Sequence, residues 1–166
     1  GSVLFVAMVN ASTQFNFTGG MLGAFTIKVA MGKLSMPFGA AFISGILCNF
    51  FVCIAVLMAA AAKDIAGKVW AIFFPIMAFV VSGYEHCVAN MYYIPAGIFA
   101  ASNEAYVQSA METYGYTVAQ LEQLTWGNML LNNLLPVTLG NIVGGMVFVG
   151  LPLYLIHGAK IRAEEV

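Results

Sequence analysis

Two long stretches of this chain carry no charged side chain, and they constrain its fold more than any other feature. Twenty-nine residues separate Lys33 from Lys63 and 37 separate Glu122 from Lys160, with no Asp, Glu, Lys or Arg among them. A membrane-spanning helix needs about 20 mostly apolar residues, whereas the core helices of soluble proteins are usually shorter and amphipathic. Only 8% of the chain is charged and 61% is hydrophobic. The sequence therefore predicts an all-α integral membrane protein.

Apolar segments long enough to cross a bilayer alternate with polar connecting segments. Membrane-spanning helices are predicted at 37–62, 69–99 and 133–156. The remaining segments are predicted as the end of a span at 1–9, a loop with an interfacial amphipathic helix at 10–36, an extramembrane loop at 101–126 and a cytoplasmic tail at 157–166. We assign the whole chain, 1–166, to one partial transmembrane domain that begins within a span.

The distribution of basic residues predicts the orientation of the spans, since Lys and Arg are enriched on the cytoplasmic side. The loop after the first full span carries two lysines, and the tail carries Lys160 and Arg162. We therefore place this loop and the C-terminus in the cytoplasm, which puts the acidic segment 101–126 outside. Lys28 and Lys33 would then also lie outside, and they count against this orientation.

A polar segment interrupts the predicted span at 69–99. The residues Ser82, Gly83, Tyr84, Glu85 and His86 separate two apolar runs of roughly a dozen residues, each too short to cross a bilayer alone. Broken transmembrane helices are tolerated where they line a cavity. Gly83 provides the backbone freedom for the break, and the amide groups that begin the second half-helix favour an anion.

Two ionisable side chains, Glu85 and His86, are predicted at about mid-membrane depth, where such residues are costly and are functional-site candidates. His86 titrates near neutral pH. A proton or hydrogen bond that it donates to a carboxylate would lower the desolvation cost of that anion. Glu85 points about 100° away on a helix, and we expect it to cap backbone amides. The alternative is a structural His–Glu pair that pins the broken helix.

Three further candidates each have a structural alternative. Phe79 lies about two turns before His86 on the same face, where it either narrows a pore as a hydrophobic gate or packs. Lys68 begins the first half-helix and either draws anions towards the mouth or is a solvated loop lysine. Asn141, in the last span, either lines a pore or bonds to another helix.

The composition excludes several other classes of function. The three cysteines match no metal-ligand spacing, and no nucleophile–base pair is visible, so the sequence predicts no metal, no cofactor and no enzyme activity. The six basic residues form no patch, which excludes nucleic acid as a partner.

Three motifs resemble the formate/nitrite transporter family, in the same order and with the same spacing. They are Ser82–Met91 (SGYEHCVANM) followed by Ile94-Pro95, Leu47–Cys53 (LCNFFVC) and Leu135–Gly145 (LPVTLGNIVGG). The resemblance extends from about Met21 to the C-terminus. It covers only the later part of a family member, because the first two spans of the family have no counterpart here.

The resemblance implies an aquaporin-like helical bundle of six spans, built as two inverted halves and assembled as a homopentamer with one pore in each protomer. It implies passive or proton-linked movement of formate, nitrite or hydrosulfide across the bacterial inner membrane. By the same resemblance, His86 is the central pore histidine and Glu85 its neighbouring glutamate, Phe79 is the constriction residue, Lys68 is the vestibule lysine and Asn141 is the pore asparagine.

Three other functions remain as alternatives. A neutral-solute channel of the aquaporin type is disfavoured because its paired Asn-Pro-Ala boxes are absent. An ion-coupled secondary transporter also uses broken helices, and a non-conducting assembly subunit fits a chain with part of the pore wall missing. The sequence leaves open which of the three anions is the substrate.

Overall fold

A computed structural model describes residues 1–158, which are predominantly helical. The helices are α1 (Ser2–Ala11), α2 (Met21–Leu34), α3 (Phe38–Ala61), α4 (Ile65–Val81), α5 (Cys87–Ala100), α6 (Glu104–Tyr114), α7 (Val118–Leu121) and the long helical stretch α8 (Trp126–Gly158). A 3₁₀ turn, Gln14–Asn16, follows α1. The predicted cytoplasmic tail at 157–166, with Lys160 and Arg162, lies outside the described residues from position 159 onward.

Among residues 1–158, two helices, α3 and α8, are long and apolar enough to cross a membrane by length and composition. The span predicted at 69–99 consists of two shorter helices, α4 with 17 residues and α5 with 14. The predicted loop at 101–126 contains α6 and α7. These helices position the polar segment 82–86 between two apolar helix ends.

The last helix begins seven residues before its predicted start. Trp126 follows the N-cap Thr125, whose Oγ1 accepts a hydrogen bond from the backbone N–H of Asn128 at 3.1 Å. Asn132 Nδ2 then donates to Asn128 Oδ1 at 3.2 Å, one turn back along the helix. These amide side chains are bonded locally, so the helix begins within the polar residues that precede the predicted span.

The chain forms two compact units, each built from two separate stretches of sequence. The first unit comprises Gly1–Phe38 and Cys87–Leu135, and the second comprises Gly39–His86 with the residues from Pro136 onward. The polar segment 82–86 therefore belongs to the second unit, while α5, which follows it directly, belongs to the first.

In the first unit, α2 packs closely on α5. The side chains of Val6, Ile27 and Ile94 are fully buried in its core. A methyl group added to Gly97 of α5 would collide with the Cβ of Ala30 on α2. This close approach requires glycine, because overpacking of this kind costs about 1–3 kcal/mol.

In the second unit, α3 and α8 meet through small residues. A Cβ added to Gly140 would collide with the carbonyl oxygen of Phe42, and one added to Gly144 would collide with that of Ile46. This is the small-residue packing by which helices approach closely in membranes. The close approach brings the polar groups of α8 within hydrogen-bonding distance of the α3 backbone.

Candidate functional site

The interruption between α4 and α5 begins with a helix-terminating motif centred on Gly83. Gly83 has a φ of +70°, and its N–H donates to Val80 O at 3.0 Å. The N–H of Tyr84 donates to Phe79 O at 3.1 Å. These two bonds form a Schellman motif, which requires a left-handed residue after the helix and therefore favours glycine. Local sequence thus ends α4, and α5 starts four residues after this glycine, at Cys87.

The backbone of Glu85 is held on both sides by polar side chains. Its N–H donates to Ser44 Oγ of α3 at 3.0 Å, and its carbonyl oxygen accepts from Asn141 Nδ2 of α8 at 3.0 Å. Only 2% of Glu85 is exposed. These contacts fix the chain directly before His86. The amide-capping role of the Glu85 carboxylate stays a prediction.

Asn141 connects three parts of the second unit. Besides Glu85, its Nδ2 donates to Gly45 O of α3 at 2.8 Å. The backbone carbonyl oxygen of Asn141 accepts from Asn49 Nδ2 at 2.6 Å. The Asn141 side chain thus bonds to α3 and to the interruption, which agrees with the bonding alternative. Its role as a pore-lining group stays a prediction.

His86 and Phe79 are neighbours in space, although α4 ends at Val81 and His86 lies in the interruption. Their ring centroids lie 5.9 Å apart with an angle of 44° between the planes. Phe79 is buried and His86 is half-buried. A second aromatic pair, Phe51 and Tyr84, stacks at 6.2 Å across the second unit. The interruption therefore places a titratable ring beside an apolar one.

Lys68 lies apart from this pair. It is exposed in the first turn of α4, where the Asp64 side chain caps the helix by accepting from Gly67 N–H at 2.8 Å. Phe79 lies eleven positions after Lys68, which places both on nearly the same face of α4, about 16 Å apart along its axis. Lys68 therefore stands at the start of the helix whose other end carries the interruption.

The structure also reveals buried polar residues that the sequence reasoning did not single out. Asn90 and Asn133 are both fully buried in the first unit, and Asn90 Nδ2 donates to Asn133 Oδ1 at 2.8 Å. In the second unit, Ser44 Oγ accepts from the Glu85 N–H at the interruption, and Asn49 Nδ2 donates to the backbone carbonyl oxygen of Asn141. The available signal was an uncharged polar residue inside an apolar helix, which costs free energy unless it is bonded. Among residues 1–158, no cluster of three or more His, Cys, Asp or Glu could hold a metal ion.

An apolar helical chain with a buried polar interruption is typical of membrane transport proteins. A family model described as formate/nitrite transporter matches residues 1–155, and the chain belongs to this family. The family predicted from the three motifs, and the all-helical, aquaporin-like fold class, are thereby confirmed.

Two relatives and one solved structure illustrate the similarity. The chain is 44% identical over 140 residues to the uncharacterized transporter YrhG of Bacillus subtilis, covering 84% of this chain and 44% of the relative. It is 36% identical over 162 residues to the formate channel FocA of Escherichia coli K12, covering 95% of this chain and 54% of the relative. A solved pentameric formate channel with formate bound matches with a TM-score of 0.82 and 40% identity, covering 94% of this chain and 60% of that one. The chain thus spans about half the length of the curated relatives it matches. These relatives are named as transporters or channels and not as enzymes.

Proposed function

We propose that the full-length protein moves small monovalent anions of weak acids across the membrane, with formate as the first candidate. The observation that carries this proposal is the interruption at 82–86, which sets His86 beside Phe79 in a chain of the formate/nitrite transporter family. Formate comes first because FocA is named a formate channel and the solved neighbour has formate bound. Nitrite and hydrosulfide carry the same charge and are similarly small, so they are the other candidates.

The mechanism lowers the cost of removing an anion from water. An ionised carboxylate entering a low-dielectric constriction loses its hydration at large cost. His86 donates a proton or a hydrogen bond to the anion and converts it wholly or partly to its neutral acid. The N-terminal end of α5 begins directly after His86, and its partial positive charge attracts the anion to this point. The barrier falls most for the conjugate bases of small weak acids.

The other candidate residues have separate roles in this proposal. Phe79 narrows the pore beside His86 and excludes larger or hydrated solutes. Lys68, at the exposed start of α4, raises the local concentration of anions at the mouth. Asn141 and Glu85 hold the interruption in place through the bond between the Asn141 amide and the Glu85 carbonyl group.

We further propose that the protein is a homopentamer in the inner membrane, with one pore in each protomer and its C-terminus in the cytoplasm. The solved neighbour is described as pentameric, and the lysine-containing loop between α3 and α4 supports the orientation. The positive charges of Lys28 and Lys33, which would lie outside, count against this orientation. However, their ammonium groups lie 4.9 Å from the Tyr114 ring centroid and 5.6 Å from that of Tyr93, respectively. Cation–π contacts of this kind give the two lysines a structural reason for their positions.

The test is solute flux in proteoliposomes that contain the full-length protein. We expect formate, nitrite or hydrosulfide to pass selectively over glycerol, with a rate that depends on pH. His86→Asn should abolish the pH dependence. His157→Asn is the matched control, because His157 is exposed at the end of α8, and it should leave the pH dependence unchanged.

Three outcomes would contradict the proposal. Unchanged pH dependence in His86→Asn would refute proton donation by this histidine. Flux that requires a cation gradient would indicate an ion-coupled secondary transporter. No flux from a correctly assembled protein would indicate a non-conducting assembly subunit.

A further inference from the structure

The hydroxyl group of Ser44 is bonded differently from other hydroxyl groups of the helices. Four serine and threonine side chains, in helices or at their ends, donate to a backbone carbonyl oxygen three or four residues earlier at 2.7–3.1 Å, namely Ser12, Thr26, Ser35 and Ser102. Ser44 Oγ instead accepts from the N–H of Glu85 at 3.0 Å, 41 positions along the chain. The Ser44 hydroxyl group therefore faces the interruption and not the backbone of α3.

The hydroxyl proton of Ser44 is available to a further acceptor. It has no acceptor among residues 1–158, and Ser44 is only half-buried, so a solute can reach it. A hydroxyl group both accepts and donates, and a bond that it accepts polarises it and strengthens the bond that it donates. Because an unbonded donor is costly in a membrane span, a solute that supplies an acceptor is favoured at this point.

The Ser44 hydroxyl group lies close to His86 within one compact unit. Ser44, Glu85 and His86 all belong to the second unit. Because Glu85 directly precedes His86, Ser44 Oγ lies within about 8 Å of the His86 Cα atom. An anion between the two side chains can accept from both of them when it has two oxygen atoms. Hydrosulfide has a single heavy atom, and sulfur is a weak acceptor.

We propose that Ser44 donates a hydrogen bond to the transported anion beside His86 and thereby selects formate and nitrite over hydrosulfide. Formate and nitrite each have two acceptor oxygens, one for Ser44 and one for His86. The inference rests on the proposed anion transport and names the class of anion that the same site prefers. Ser44 transfers no proton, so it sets the selectivity among anions while His86 sets the pH dependence.

The test compares wild-type full-length protein with Ser44→Ala in proteoliposomes. Thr26→Val is the matched control, because Thr26 is also half-buried and its hydroxyl group is bonded within its own helix. The measured quantity is the ratio of formate permeability to hydrosulfide permeability, after subtraction of the flux into protein-free liposomes. The pH dependence of formate flux is measured on the same preparations, because it reports on His86.

We expect Ser44→Ala to lower the formate-to-hydrosulfide ratio about three- to tenfold, the factor that corresponds to one hydrogen bond, and to keep the pH dependence of the wild type. Thr26→Val should change neither quantity. An unchanged ratio in an assembled Ser44→Ala protein would show that Ser44 only bonds the Glu85 N–H. A lower ratio together with a lost pH dependence would also overturn the proposal, since it would show that the variant acts by displacing His86.

Ser44→Cys decides the question if Ser44→Ala fails to assemble. Its thiol takes the place of the hydroxyl group but is a weak donor, so the ratio should fall, and a wild-type ratio would overturn the proposal. Failure of the proposed function gives a different result. Wild-type protein that carries neither anion would refute anion transport and this inference with it, whereas transport with equal ratios in wild type and variants would refute only the role of Ser44.

Discussion

Replacement of Gly83 by alanine isolates the backbone conformation at the helix interruption. An ideal Cβ at Gly83 has no neighbouring atom within 4 Å, so alanine causes no collision. The backbone, however, has a φ of +70°, and this left-handed conformation costs an L-residue about 1–2 kcal/mol. Alanine also lowers the conformational entropy of the unfolded chain, which stabilises the folded protein by about 0.4–1 kcal/mol relative to glycine. The expected net loss is about 1 kcal/mol in the free energy of unfolding.

Gly32→Ala is the matched control for this measurement. An added Cβ at Gly32 also meets nothing within 4 Å, but Gly32 lies inside α2 and its φ is not positive. Alanine is favoured over glycine in a helix by about 0.5–1 kcal/mol. The two variants should therefore shift stability in opposite directions, with a difference of about 1.5–2 kcal/mol.

The assay is a denaturant titration of the purified full-length protein in detergent, with each variant compared with wild type. Gly83→Asn should lose less stability than Gly83→Ala, because asparagine tolerates the left-handed region better than other residues with a side chain. Equal shifts for Gly83→Ala and Gly32→Ala would refute the reasoning, since they would show that the turn at Gly83 imposes no cost on a side chain.

Two further predictions concern Asn141 and Lys68. Asn141→Leu removes the donors to Gly45 O and Glu85 O and should lower the free energy of unfolding by roughly 2–4 kcal/mol. Asn132 is exposed on α8, and Asn132→Leu should change the free energy of unfolding by less than about 0.5 kcal/mol in the same titration. Equal losses of stability in the two variants would contradict the bonding role of Asn141. Lys68→Gln should slow anion uptake about twofold at low ionic strength, because a unit charge about 10 Å from the anion contributes about 0.4 kcal/mol in water. The difference in uptake rate between Lys68→Gln and wild type should vanish at high salt. Lys63→Gln should slow uptake less than Lys68→Gln does. A slower uptake that does not depend on salt would indicate that Lys68 acts through a contact and not through electrostatic steering.

The parts of the fold that depend on neighbouring residues in the sequence could be predicted from the sequence. The charge-free stretches predict the long apolar helices, and the Gly–Tyr–Glu–His pattern predicts the interruption, because a glycine and two ionisable residues conflict with a continuous apolar helix. Helix α6 also has local signals, since Asn103 caps its start and Gly115 ends it with a φ of +74°. Polarity alone predicts a loop for this segment, and these two caps are the signal that polarity does not contain.

The hydrogen-bond partners of the buried amides could not be predicted from the sequence in the same way. Sequence shows that Asn90, Asn133 and Asn141 lie in apolar surroundings, but a hydrogen bond between Asn90 and Asn133 joins residues 43 positions apart. The bond from Asn141 to Glu85 spans 56 positions. Which carbonyl group an amide reaches depends on how closely two helices approach, and at α3 and α8 this distance is set by Gly140 and Gly144.

The hydrogen bonds of the interruption bear on whether His86 is structural or functional. Each backbone N–H from Ser82 to Glu85 has an acceptor, namely Ala78 O, Val80 O, Phe79 O and Ser44 Oγ in turn. The carbonyl group of Glu85 is bonded as well. The interruption is therefore held by the Schellman motif and by polar side chains of α3 and α8. None of these backbone bonds uses the imidazole, so His86→Asn leaves them in place, and it should change anion flux while the interruption keeps them.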